Sequence, residues 1–231
     1  MKKGFYTRVV GVFCALNLFL FILYYLSGYV FSGDFILYAY TFTSELLLAA
    51  MPLISAALIS YLYRDGGSRA VLIHAIALSA VGILYNFPLS AFEYAYAGYV
   101  IGEVLLLSAL TSILSAVAAY IEIILLSIII IFVSRSFARR RGIAAEGAIL
   151  PSQSAFDLSV PFNVGVFVGA LVLFIYRLVL EIYDTVVFIL DSEGFMTAGE
   201  IVYIVIRYIF SLAILLASQL AATALAKRCA G

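Results

Sequence analysis

Arg177, Glu181 and Asp184 stand inside residues 163–190, an otherwise apolar run long enough to cross a bilayer. Their offsets of four and three residues place them on one face of a helix. Acyl chains cannot solvate such a face, and a charge at the centre of a spanning helix costs roughly 2.5 to 3.5 kcal/mol on insertion scales. Two kinds of chemistry suit it: a substrate or proton site, or an ion-pair network that fixes helix register. Arg177 and Glu181 have the spacing to pair within their own helix. Arg207, in the last apolar run, lies at a depth similar to that of Glu181, and the short turn at 191–200 makes the two plausible neighbours.

Two further acids belong to the same group. Glu45 sits in the second apolar run, with Thr41 one turn away. Glu122 lies in the fourth, where Ser108, Thr111, Ser115 and Glu122 recur at spacings of three, four and seven and form one polar stripe. The interior acids Glu45, Glu122, Glu181 and Asp184 outnumber the interior bases Arg177 and Arg207, so a proton or a bound cation is expected to offset the excess.

The elements that must hold these residues follow from composition. Hydrophobic residues make up 66% of the chain and charged residues 11%, against roughly a quarter charged in a soluble domain. Mean hydropathy is +1.18, which excludes a soluble single core. Apolar runs of about 18 residues or more read as membrane spans. They fall at about 9–31, 35–63, 70–87, 104–133, 163–190 and 199–226. The expected fold is thus all-α: a polytopic bundle of six transmembrane helices forming one domain over 1–231, with a loop at 134–162. Pro52 and Pro88 are potential kinks, and residues 88–103 read either as an interfacial segment or as a kinked continuation of the third helix.

Charge sets the expected orientation. With six alternating helices, every Lys and Arg except Arg177 and Arg207 falls on one side. Asp34, Glu93, Glu103, Asp191, Glu193 and Glu200 fall on the other. The positive-inside rule then puts both termini and the 134–162 loop in the cytoplasm of a cell-membrane protein. Arg135, Arg139, Arg140 and Arg141 open that loop, where they can contact anionic lipid or a partner.

Other chemistries find little support. Cys14 and Cys229 are far apart, and His74 is the single histidine, so no metal site, disulfide framework or cofactor is implied. Phosphate-loop, HExxH and GxSxG motifs are missing from the sequence. The lipid bilayer is the expected partner, with other membrane subunits or further copies of the chain beside it, and no nucleic acid. The leading expectation is a transporter of a small polar or cationic solute, or a membrane subunit of a transport complex, with proton coupling through carboxylates in a cavity between spans two, four, five and six. The alternatives are a non-transport scaffold and an intramembrane enzyme that uses carboxylate pairs.

Overall fold

The structure, a computed structural model, describes residues 52–60, 63, 69, 71–77, 79–80, 83, 86–88, 90–92, 94–95, 97–144, 148–149, 157–191 and 197–230, together with 15, 18, 19 and 22. Most of the expected spans at 9–31 and 35–63, Glu45 included, lies outside the described residues. Among the described residues the fold is helical throughout, with no strand.

Three long helices carry the architecture: α1, Ile101–Arg140, of 40 residues; α2, Pro161–Asp191, of 31; and α3, Ala198–Ala230, of 33. Each contains a stretch long and apolar enough to cross a membrane, over Ile101–Arg140, Pro161–Val187 and Ile204–Ala221. In chain order α1 packs on α2 and α2 on α3.

The helix ends have local causes. Gly142, at φ +68°, closes α1: its N–H bonds the Arg139 carbonyl at 3.2 Å, and the Ile143 N–H reaches back to Ala138 at 3.0 Å. This is a Schellman cap, which glycine favours because it has no Cβ to clash in the left-handed region. The expected loop from residue 134 therefore starts later, and Arg135, Arg139 and Arg140 are helical. Arginine is a good helix former, so leaving the hydrocarbon does not by itself end a helix. A second cap of the same kind lies before α1: Gly98, at φ +87°, bonds Ala95 at 3.1 Å and Tyr99 bonds Tyr94 at 3.1 Å. The described residues from 86 to 95, Pro88 among them, are helical up to that cap. α2 opens with Pro161 in its first turn, where a missing N–H costs nothing.

The core lies toward the arginine-bearing end of α1. Residues 52–60 are helical and buried without exception, and they cluster with Ile123, Leu126 and Ile130 of α1 and Phe162, Val166, Ala170 and Leu173 of α2. The outward surfaces are apolar instead of charged: Leu106 is 70% exposed, Phe132 69% and Ile209 63%. Water would not tolerate apolar surface over such lengths, whereas acyl chains would.

Candidate functional site

The seam between α1 and α2 begins with small side chains. A Cβ on Gly165 would run into Ser134 Oγ and the Ile130 carbonyl oxygen, and one on Gly169 would stand 3.1 Å from Ile130 Cγ1. The two backbones thus approach as closely as glycine permits, which in lipid favours association through dispersion contacts. The serines facing this seam satisfy themselves locally. Ser127 Oγ donates to Ile123 O at 2.7 Å and Ser134 Oγ to Ile130 O at 2.6 Å, so no hydroxyl is stranded away from water. Residues 52–60 join the seam by two long contacts, Ser60 Oγ to Ser127 O and Ser127 Oγ to Ala56 O, both 3.4 Å.

These contacts set the register. Antiparallel helices in contact move in opposite directions along their sequences, so each turn back along α1 is met by a turn forward along α2. Ser134 faces Gly165, Ile130 faces Gly169, and one turn further both Leu126 and Leu173 are buried in the shared core. The next turn brings Glu122 to Arg177, with Oε1 and Nη2 3.6 Å apart. By helical rise, Glu122 lies about 20 Å from Arg135 and Arg177 about 24 Å from Pro161, so the pair stands near the middle of both helices.

At that separation the pair is electrostatic, without a hydrogen bond. Its side chains are 23% exposed for Glu122 and 34% for Arg177. Glu122 Oε1 is shielded and accepts no hydrogen bond among the described residues. The carboxylate therefore keeps acceptor capacity for an N–H or O–H group, or for a proton. Arg177 has further interactions of its own.

Asp184 is exposed on α2 and Arg207 half-buried on α3. The Glu181 side chain and Glu45 lie outside the described residues. Glu122 of α1 is thus a partner of Arg177 across the helices, beside the expected pairing with Glu181, whose side chain lies outside the described residues. In the expected stripe, Ser108 is buried and bonded to Val104 O at 2.6 Å, while Thr111, Ser115 and Glu122 are half-buried. Thr111 shares a 3.1 Å hydrogen bond with Tyr94.

Arg135, Arg139, Arg140 and Arg141 are exposed at the end of α1. Arg135 lies 5.0 Å over the Tyr63 ring, and Arg141 donates to Ser159 O at 3.1 Å. A groove of about 290 Å³ between residues 76–83 and α1 is lined by apolar side chains with Ser79 and Tyr120, and none of the charged candidates borders it. Among the described residues, no group of three or more His, Cys, Asp or Glu could hold a metal ion.

Sequence reasoning did not single out Ser127, Ser134 or Gln219 of α3, which is also buried. A glutamine inside an apolar run was the available signal. Compared with protein families, curated proteins and solved structures, the chain gives no match.

Proposed function

We propose that the protein is a six-span membrane transporter with both termini cytoplasmic, carrying a small polar or cationic solute past the Glu122–Arg177 pair. The observation that carries this reading is the looseness of that pair: two opposite charges held 3.6 Å apart at matching depth, with a shielded carboxylate oxygen that accepts no hydrogen bond among the described residues. An ion pair serving packing alone gains most from close, hydrogen-bonded geometry. A loose one admits a competing donor. In the proposed cycle a cationic or N–H-bearing solute replaces Arg177 at Glu122, Arg177 returns as the solute leaves, and a proton on the carboxylate substitutes for the solute in the opposite direction. Glu45, Glu181, Asp184 and Arg207 are assigned to the same pathway as accessory charges, in keeping with the general tendency of ionisable groups within a membrane to line functional routes.

Proteoliposomes loaded with or without a pH gradient test this with a panel of small primary amines and uncharged polar solutes. Uptake of at least one amine should follow the gradient and fall tenfold or more in Glu122→Gln. Gradient-independent signals equal to those of empty vesicles across the panel would remove the reading. Stoichiometric co-purification of a second membrane subunit, without flux, would favour the assembly-partner alternative.

A further inference from the structure

On α1, the residues Ile121, Leu125, Ile128, Phe132, Arg135 and Arg139 follow one another at alternating steps of four and three, so they form a single stripe along the helix. The first four are each more than half exposed, and both arginines are exposed. The stripe points away from the face that carries Ile123, Ser127, Ile130 and Ser134 into the core. It is therefore an apolar track ending in two guanidinium groups one turn apart.

Charge and length together identify its occupant. From Arg135 back to Leu125 the helix rises about 15 Å, half of a roughly 30 Å hydrocarbon layer and thus the depth of one leaflet. Among the described residues neither arginine is in an ion pair. The Tyr63 ring under Arg135, 5.0 Å from its guanidinium carbon, supplies an aromatic wall of the kind found at the boundary between acyl chains and headgroups. Arg141, by contrast, is engaged with the Ser159 carbonyl.

We infer that this stripe is a binding site for one anionic phospholipid of the leaflet facing the basic end. The phosphate sits between Arg135 and Arg139, and an acyl chain lies along Phe132, Ile128 and Leu125. Guanidinium groups bind phosphate oxygens in a planar, forked geometry, which sets them apart from simple point charges. The inference does not depend on what solute, if any, the protein carries.

Native mass spectrometry of the full chain, released from micelles containing equimolar phosphatidylglycerol and phosphatidylcholine, tests it. At roughly fivefold per basic residue, two arginines should retain phosphatidylglycerol about 25-fold over phosphatidylcholine. Arg135→Gln/Arg139→Gln should bring the ratio close to one, Arg135→Lys/Arg139→Lys should keep a reduced preference, and Phe132→Ser should weaken both lipids. Equal retention of the two lipids by the unmodified protein would overturn the site, and that comparison needs no variant. Displacement of bound lipid by millimolar glycerol phosphate would reassign it to free phosphate. A dimer lost in the Phe132→Ser variant would reassign the stripe to a second copy.

Discussion

Toward its arginine-bearing end, the α1–α2 pair is held by contacts at backbone scale: Gly165 against Ser134, Gly169 against Ile130, and residues 52–60 buried alongside. Three turns away the same two helices are joined by long charged side chains, Glu122 and Arg177, without a hydrogen bond between them. Close packing resists deformation because interdigitated side chains have one good arrangement. A loose ion pair has several. On the proposed function, the first region is a fixed joint and the second exchanges partners while the joint holds its register.

The most severe way to break this division is to wedge the joint. Gly165→Leu should cost about 3 kcal/mol, since the added atoms meet a backbone carbonyl that cannot move aside as a side chain would. Reversible unfolding in micelles measures the loss. Because Gly165 sets the register, a cross-link between cysteines at positions 122 and 177 should form readily in the parent and poorly in this variant.

The ion pair comes next. A double-mutant cycle on Glu122→Gln and Arg177→Gln should give a coupling of about 1 to 2 kcal/mol, and the exchanged pair Glu122→Arg/Arg177→Glu should recover part of it. A coupling near zero would mean that the two charges are solvated separately, and the contrast between joint and exchange site would fail. Gly169→Ala sharpens the picture from the other side. Its new methyl meets side-chain atoms that can shift, Ile130 Cγ1 at 3.1 Å, Ile130 Cδ1 at 3.5 Å and Leu53 Cδ1 at 3.8 Å, so the expected loss is about 1 kcal/mol or less. Smallest is Ser127→Ala. Its bond to residues 52–60 is long, and interhelical hydrogen bonds in membranes average about 0.6 kcal/mol, so the same unfolding assay should register no more than that.

How far these features could be read from the sequence depended on the distance over which each is encoded. The cores of α1, α2 and α3 were legible, because a run of apolar residues and the rise per residue are local quantities. The end of α1 was placed too early. The change of polarity at residue 134 is no change of backbone: the helix runs on to Arg140 and is closed by Gly142. The candidate charges on α1 and α2 were legible as anomalies in apolar runs. The contact of Arg177 across helices was not: spacing within one helix says nothing of a neighbouring helix, and only the meeting of Gly165 with Ser134 determines that Glu122 arrives opposite. Two glycines four residues apart permit close approach, but nothing in a single chain of letters says which turn of which helix they approach.

The length of α1 has a consequence for where the protein can reside. Forty residues rise about 60 Å, and even the apolar portion, at about 45 Å, exceeds a hydrocarbon layer of roughly 30 Å. Tilting by up to about 40° shortens its projection only to about 35 Å. Thin bilayers leave Ile101, Leu105 and Leu106, all exposed, to meet water, whereas thick ones take them in. Acyl-chain length is thus a control variable for this helix, with longer lipids favouring its upright form and shorter ones driving it to lean.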